Sequence, residues 1–275
     1  NFLKAVADGT HVIFVGDVDQ LPAVGPGAVL KDILASGVVP SVCLTEVFRQ
    51  AGESTIVFNA HAINVGRLPV TAHEGDFQFW EIRDAETTAK KIVSLCANYL
   101  PKQGLSPLYD VQVLSPMHRQ PCGVDNLNRL LQGAINPPNP TKSEFRSATM
   151  VFREGDKVMQ MKNDYQKQVF NGDIGFITSL SPDGIAVRFS EETVKYEKQE
   201  LGELTLAYAM SVHKSQGSEY PVVVMPLVPG HRIMLQRNLL YTAVTRAKKT
   251  VILLGSRAAL NAAVEKDRTK KRYTL

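Results

Sequence analysis

A short polar loop follows an apolar run near the start of the sequence. The run is His11 to Gly16 (HVIFVG), and the loop begins with Asp17, Asp19 and Gln20. An apolar run that ends in glycine is typical of a buried parallel strand, and polar groups beyond its carboxyl end face the crevice where ligands bind. Two carboxylates and an amide there could sense a phosphate, a metal ion or an attacking water. They fit equally an Asx-type turn that caps the strand.

Two arginines lie in widely separated stretches, Arg49 in LTEVFRQ and Arg246 in NLLYTAVTRA. An arginine presents a rigid, permanently charged fork of N–H donors that matches phosphate oxygens. Two such forks aimed at one γ-phosphate would supply the charge stabilisation that phosphoryl transfer requires. Taken singly, each arginine also fits an ion pair at the surface.

A third polar stretch, AMSVHKSQGSE, combines a helix cap with several donors. Ser211 can cap a helix whose free N–H groups suit a nucleic-acid phosphate, and His213 and Lys214 add further donors. Gly217 ends the turn and Glu219 follows as a lone acid before the next apolar run. In isolation the same residues describe no more than a polar helical turn.

The elements that position these residues alternate between helix and strand. A proline-rich linker at 136–143 precedes short alternating strands over 151–206, which are separated by Asn-Gly and Ser-Pro-Asp-Gly turns and predict a small barrel. The pattern therefore indicates an α/β domain interrupted by a small β insertion. We predict helices at 54–65, from 84 to 100, at 124–131, 211–217 and 238–248, and parallel strands at 11–16, 111–114, 222–225 and 250–254.

Composition narrows the class of protein. The 275 residues carry a net charge of +4, which permits a polyanionic partner without requiring one. No apolar run reaches the roughly 18–20 residues that a membrane span needs. The three cysteines are scattered and lack metal-ligand spacing, as in a reduced, cytoplasmic protein.

Read together, the blocks resemble superfamily 1 helicases of the RecD/TraA type, which include the α subunit of exodeoxyribonuclease V. The blocks are GDVDQLPAVGPG, LTEVFRQ, VLSPMHRQPCGVDNLNRLLQ, AMSVHKSQGSEYPVV and NLLYTAVTRAKK, in that order. The resemblance runs from about residue 10 to 256. It implies a RecA-like motor domain with a parallel sheet, interrupted by an SH3-like β-barrel. The implied domains are the end of motor domain 1A (1–42), motor domain 2A (43–145 and 207–262), the SH3-like insertion (146–206) and a basic tail (263–275).

The resemblance also implies a role for each motif residue. Catalytic contacts to the γ-phosphate region would come from Gln20, Arg49 and Arg246, the last as an arginine finger. Residues toward the nucleotide would be Asp17, Asp19, Gly217 and Glu219. Contacts to DNA would come from Ser211, His213, Lys214, His118 and Arg119.

Two elements of the family pattern are absent from the sequence. There is no GxxxxGK[ST] loop, and no aspartate–glutamate pair follows an apolar strand before Asp17. The resemblance therefore implies that Asn1 is an internal residue of a longer protein, and that these residues hold ATP and Mg²⁺ only in part. We expect no ATP hydrolysis from them alone.

The resulting hypothesis is the C-terminal motor portion of an ATP-dependent DNA helicase that moves along single-stranded DNA, 5′ to 3′ as the family does. The expected partners are single-stranded DNA and a nuclease or recombination complex, and no membrane is expected as a partner. One alternative is a non-catalytic module that binds DNA or a partner in such a complex. The other is an RNA-directed motor of the same superfamily.

Overall fold

A computed structural model of the chain describes residues 2–22, 27–44, 54–140, 143–146, 150–190 and 192–267. The helices are α1 (Phe2–Ala5), α2 (Val29–Ser36), α3 (Thr55–Asn64), α4 (Ala85–Ser94), α5 (Leu100–Lys102), α6 (Val124–Ile135), α7 (Arg237–Thr245) and α8 (Arg257–Glu265). The strands are β1 (Phe77–Glu81), β2 (Val111–Ser115), β3 (Glu144–Arg146), β4 (Val151–Arg153), β5 (Lys157–Gln160), β6 (Ile174–Ser181), β7 (Gly184–Phe189), β8 (Glu192–Glu197), β9 (Leu204–Leu206), β10 (Ala209–Ser211), β11 (Tyr220–Leu227) and β12 (Ala247–Gly255).

Five parallel strands form the sheet of the α/β part, in the order β1-β12-β11-β2-β10. Their central members are continuous apolar runs because both faces of the sheet are covered. Helices α4 and α6 pack with Val111 and Val113 on one face. Helices α3, α7 and α8 pack with Val223 and Met225 on the other. The α/β fold with a RecA-like parallel sheet is confirmed.

The insertion is a second sheet, antiparallel, in the order β8-β7-β6-β5-β9. The short alternating strands expected between 151 and 206 are present as β4 to β9. Val158, Val187 and Tyr196 fill its interior, and they belong to the same buried cluster as α4 and α6. The small β insertion is therefore packed against the parallel sheet through a shared core.

A buried carboxylate fastens the insertion to the α/β part. Asp156, which is fully buried, accepts hydrogen bonds from Asn136 Nδ2 (2.8 Å) and Tyr208 Oη (2.8 Å) on one oxygen. Its other oxygen accepts from Gln132 Nε2 (2.6 Å) and the Arg153 backbone N–H (2.7 Å). Burial raises the pKa of Asp156 even though these bonds favour the charged form. Four donors therefore join α6 to both ends of the insertion.

Two expected elements differ from the structure. Residues 11–16 form no regular strand, and Ile13 and Val15 are 85% and 92% exposed. The prediction of a buried strand was wrong for the described residues, because no described strand lies beside this segment to pair with it. The helix expected at 211–217 is a 3₁₀ turn, Val212–Ser215, that follows directly from β10.

The other predicted helices are present. Ser54 precedes α3 as expected, but its hydroxyl donates to Asp76 (2.9 Å) instead of capping the helix. Asp84 caps α4 by accepting from the Thr87 N–H (2.7 Å). The helix expected from 84 to 100 continues from α4 through a π-helical turn, Leu95–Tyr99, into α5. Across the described ranges, no helix is both long and apolar enough to cross a bilayer.

Candidate functional site

Arg246 is a predicted catalytic residue whose side chain is buried and makes several hydrogen bonds. It follows α7 directly and is only 7% exposed. Its Nη2 donates to Gln20 Oε1 (2.8 Å), its Nη1 to the Ser218 carbonyl (3.1 Å) and its Nε to the Thr242 carbonyl (3.3 Å). One guanidinium therefore joins three segments that are far apart in the sequence, each of which carries a predicted motif.

The loop that contains Gln20 rests on α7. The Leu21 N–H donates to Thr242 Oγ1 (2.8 Å), and Gln216 Nε2 donates to the Leu21 carbonyl. Tyr241 Oη donates to Asp17 Oδ2 (3.1 Å). Burial and then the Asp17 carboxylate raise the pKa of Tyr241, so its hydroxyl stays protonated and keeps donating.

Asp17 and Asp19 are occupied by local hydrogen bonds. The Asp19 N–H donates to Asp17 Oδ1 (2.9 Å), and Gln20 Nε2 donates to Asp17 Oδ2 (3.0 Å). Asn64 Nδ2 in α3 donates to Asp19 Oδ2 (2.7 Å). The Asx-type turn is therefore realised. In the described part of the chain, no group of three or more His, Cys, Asp or Glu side chains could hold a metal ion.

Gly217 and Glu219 lie on the approach to β11. Gly217 has a φ of +81°, which favours glycine, and the turn brings the Ser218 carbonyl to Arg246. Glu219 forms an ion pair with Lys248 Nζ (3.2 Å), and both side chains are about half-exposed. The Tyr220 N–H, the first of β11, donates to the Arg246 carbonyl (2.8 Å). These residues therefore gather at the amino ends of β11 and β12.

The donor inventory of Arg246 fits a phosphate ligand. A guanidinium carries five N–H donors, and described residues accept three of them. Two N–H groups have no acceptor among the described residues and could bind oxygens of a nucleotide phosphate, and the Gln20 amide can be displaced because it is a neutral acceptor. The side chain is also almost free of solvent, where a charge-assisted hydrogen bond gains most.

The predicted DNA contacts lie at the opposite ends of the strands. Ser115 and Ser211 are the last residues of β2 and β10, and they are paired in register. The loop with His118 and Arg119 leaves β2, and the turn with His213 and Lys214 leaves β10. Because β2 and β10 are adjacent and parallel, these two segments leave the same edge of the sheet side by side.

The loop after β2 is tightly folded while the side chains of His118 and Arg119 stay exposed. Ser115 Oγ donates to the Cys122 carbonyl (2.7 Å), and the Asp125 N–H donates to the His118 carbonyl (3.0 Å). A Cβ at Gly123 would meet the carbonyls of His118 and Arg119 at 2.4 and 2.1 Å, so only glycine fits there. The His118 side chain is 67% exposed, with Nδ1 3.7 Å from Asp125 Oδ1.

The turn after β10 uses Ser211 as predicted, as a cap. Its hydroxyl accepts from the Lys214 N–H (3.4 Å), and its side chain is nearly buried. Lys214 Nζ donates to Asn171 Oδ1 in the β insertion (2.6 Å). The turn therefore places Lys214 where the parallel sheet meets the β insertion.

The structure thus brings Gln20 and Arg246 together, and the predicted DNA contacts follow the carboxyl ends of β2 and β10. Arg49 lies outside the described residues. Sequence reasoning missed Tyr241 and Thr242, which hold the Gln20 loop, and Asn64, which holds Asp19. Thr242 stands four residues before Arg246 in a predicted helix, and that spacing was the available signal.

Comparison with known protein families gives three matches. The model described as the SH3 domain of ATP-dependent RecD-like DNA helicases matches residues 127–190. The UvrD-like helicase C-terminal domain matches 206–254, and the AAA domain matches 1–78.

Curated relatives match along almost the whole chain. The ATP-dependent RecD2 DNA helicase of Deinococcus radiodurans is 36% identical over 100% of this chain and 37% of its own length. The RecBCD enzyme subunit RecD of Mycolicibacterium smegmatis is 31% identical over 96% of this chain and 49% of its own. The chain therefore spans between about a third and a half of the length of these relatives.

Solved structures share the fold at low sequence identity. The Pif1 helicase from Candida albicans matches with a TM-score of 0.54 and 17% identity, over 92% of this chain and 65% of that one. Bacteroides Pif1 bound to ssDNA matches with a TM-score of 0.52 and 19% identity, over 89% and 62%. The solved structures show the shared fold alone, whereas the family models and the curated relatives show that the chain belongs to the RecD-like superfamily 1 helicases.

Proposed function

We propose that this chain is the motor portion of an ATP-dependent DNA helicase that moves along single-stranded DNA. The observation that carries the proposal is the guanidinium of Arg246, buried between Gln20 and the Ser218 carbonyl. A buried arginine with two N–H donors that no described residue accepts, beside a displaceable amide, suits a γ-phosphate sensor. The names of the curated relatives, which include an ATP-dependent DNA helicase, support it.

At the nucleotide end, we assign catalytic contacts to Gln20, Arg49 and Arg246. Arg246 would stabilise the charge that develops on the transferred phosphoryl group, and Arg49 would contact the same phosphate. Asp17, Asp19, Gly217 and Glu219 would shape this end without touching the reacting atoms, because the described contacts tie both aspartates to neighbouring donors and Glu219 to Lys248.

At the nucleic-acid end, we assign backbone contacts to Ser211, His213, Lys214, His118 and Arg119. The exposure of His118 and Arg119 and the shared edge of β2 and β10 support this assignment. Contacts of this kind read phosphates and not bases, so binding should tolerate any sequence and weaken with salt.

The two ends would be coupled by motion between domains. We place the end of motor domain 1A at 1–42, domain 2A at 43–145 and 207–262, the SH3-like insertion at 146–206 and a basic tail at 263–275. ATP would lie between the two motor domains and draw them together through Arg246, and hydrolysis would release them. Repeated closure would step domain 2A along the strand, 5′ to 3′ as in the resembled family.

We further propose that these 275 residues do not hydrolyse ATP by themselves, because the sequence holds no GxxxxGK[ST] loop. ATP and Mg²⁺ would be held mainly by other residues of the working enzyme. One curated relative is named as a subunit of the RecBCD enzyme, which supports a nuclease or recombination complex as a partner in the cytoplasm.

The test is ATP hydrolysis by the full-length protein with single-stranded DNA, single-stranded RNA or no nucleic acid. We expect strong stimulation by DNA, and no turnover by the 275-residue chain under any condition. Equal stimulation by RNA would favour an RNA-directed motor. No stimulation by either would favour a non-catalytic module, and turnover by the short chain would refute the assignment of the phosphate-binding residues.

A further inference from the structure

Two aromatic rings stand exposed on a hairpin of the β insertion. The hairpin, residues 161–173, connects β5 to β6 and is called here the aromatic hairpin. Tyr165 is 76% exposed and Phe170 45% exposed, and their ring centroids lie 5.9 Å apart at an interplanar angle of 74°. Since neither ring fills a core, burial of apolar surface within this chain does not explain the pair.

Backbone hydrogen bonds and the buried side chain of Val169 hold the main chain of the aromatic hairpin in place. Asp164 and Val169 exchange two backbone hydrogen bonds (2.8 and 3.1 Å), and Asp164 Oδ1 accepts from the backbone of Gln166 and Lys167. Val169 is 3% exposed and belongs to the core shared with the parallel sheet. The backbone that carries the two rings is therefore held in place, so a ligand that contacts them orders little of the main chain on binding.

The aromatic hairpin also touches the candidate nucleic-acid end of the molecule. Asn171, next to Phe170, accepts the hydrogen bond from Lys214 Nζ (2.6 Å). The exposed neighbours Lys162 and Asn163 are a cation and an amide. The carboxylates of the hairpin, Asp164 and Asp173, accept from backbone N–H groups. A phosphate at Lys214 would thus place the adjacent nucleotide near the rings.

We propose that Tyr165 and Phe170 form a stacking platform for the bases of a single DNA strand whose backbone lies on Lys214. This inference rests on the proposed function, and it adds a base contact to a site otherwise made of backbone contacts. Stacking on an aromatic ring accepts every base, because each base has a π-face, so the platform preserves sequence tolerance. Two rings with polar neighbours are too small for a stable protein interface, which needs about 800 Å² per partner.

The test compares two oligonucleotides of equal length, one of deoxythymidine and one abasic, by fluorescence anisotropy with the 275-residue chain. Tyr165→Ala/Phe170→Ala should weaken binding to the deoxythymidine strand roughly tenfold or more and leave binding to the abasic strand unchanged. Tyr165→Phe should retain affinity. Tyr109→Ala is the matched control, because Tyr109 is 59% exposed and contacts Phe176 instead. The single variant Tyr165→Ala, at the exposed tip, serves if the double variant melts early.

Each outcome separates the inference from the proposed function. Lys214→Ala should weaken binding to both oligonucleotides, because it removes a phosphate contact. If it does so while the aromatic variants bind the deoxythymidine strand normally, the platform is refuted and the proposed function stands. Equal losses on both strands, or an equal loss from Tyr109→Ala, would also refute the platform. No binding by the unaltered chain at low salt would refute both.

Discussion

The two ends of the parallel sheet hold their candidate functional residues in different ways. At the amino ends of β11 and β12, Arg246 is buried and three acceptors fix its guanidinium. At the carboxyl ends of β2 and β10, the backbone is fixed by Ser115 and Ser211, while His118 and Arg119 extend into solvent. One end fixes the charged group of Arg246 itself, whereas at the other end the side chains of His118 and Arg119 stay exposed on a fixed backbone.

This difference matches what each end would have to recognise. A transferred phosphoryl group is a single target whose charge shifts during reaction, so its donors gain from a fixed, water-poor position. A moving single strand presents a succession of equivalent phosphates, and exposed flexible cations can follow them at low cost in specificity. Substitutions at the two ends should therefore affect different constants.

The largest expected effect is at the amino end. Arg246→Ala should lower kcat for single-strand-stimulated ATP hydrolysis by the full-length protein about a thousandfold, because it removes the charge opposite the transferred phosphoryl group. Affinity for single-stranded DNA should change less than about threefold. Arg237→Ala is the matched control, since Arg237 begins the same helix but bonds to Val264 and Asp267. A large kcat loss in both variants would mean that α7 was merely disrupted.

Acid should weaken the fold near the carboxyl end. His231 is fully buried just after β11, and burial lowers its pKa to about 4 from 6.5. Below pH 6.5, His231 becomes protonated in the unfolded chain, whereas in the folded chain it stays neutral down to about pH 4. The free energy of unfolding should therefore fall by about 2 kcal/mol from pH 7 to pH 5, about thirtyfold in the folding equilibrium.

Urea titrations at the two pH values measure this loss. His231→Phe removes the titrating group, and its own pH dependence should be smaller by the same amount. A variant that loses stability between pH 7 and pH 5 as steeply as the unaltered chain would assign the acid sensitivity elsewhere.

Cation removal at the carboxyl end should have a smaller effect, and on binding alone. Lys214→Ala/Arg119→Ala should weaken single-strand affinity about tenfold and reduce the slope of log affinity against log salt by about 1.4, or 0.7 for each lost phosphate contact. The kcat at saturating DNA should hold. Lys248→Ala, which removes a half-exposed cation paired with Glu219 at the amino end, should leave the slope unchanged. Equal slopes in the two variants would abolish the distinction between the ends.

The smallest expected effect concerns the partner of Arg246. Gln20→Glu would place a carboxylate where Gln20 Oε1 now accepts from Nη2, and a charged acceptor holds the guanidinium more tightly than an amide does. The kcat should fall about fivefold to tenfold, with thermal stability equal or higher. Gln20→Ala, which frees the guanidinium, separates this restraint from loss of the amide. A kcat that is unchanged in Gln20→Glu would show that Arg246 does not need to leave Gln20.

The sequence predicted the packed elements well because their patterns report burial within this chain. The run Val222–Met225 and the alternating strands of the insertion both lie where expected, as do Ile56 and Ile63 on α3. The hydrogen bond from Arg246 to Gln20 was not predicted as such, and the expected convergence of Arg49 with Arg246 stays a prediction because Arg49 lies outside the described residues.

The remaining features depend on which segments meet, and local patterns do not carry that information. HVIFVG has the pattern of a buried strand, but the pattern shows only that the segment is compatible with a strand whose two faces are both covered. It does not show which segments pack against it. In the sequence, Asp156 has the pattern of a turn residue because it follows Gly155. In the structure it is buried and accepts hydrogen bonds from four donors, which join α6 to the insertion. The contact between Asn171 and Lys214 likewise joins two separate sheets.

The most direct test is a structure of the full-length protein with single-stranded DNA and a transition-state analogue of ATP hydrolysis. The account predicts that a guanidinium nitrogen of Arg246 lies about 3 Å from the γ-phosphate mimic, with Arg49 on the same group and the DNA backbone at Lys214. A guanidinium still bonded to Gln20 and Ser218, with the phosphate mimic out of its reach, would contradict it.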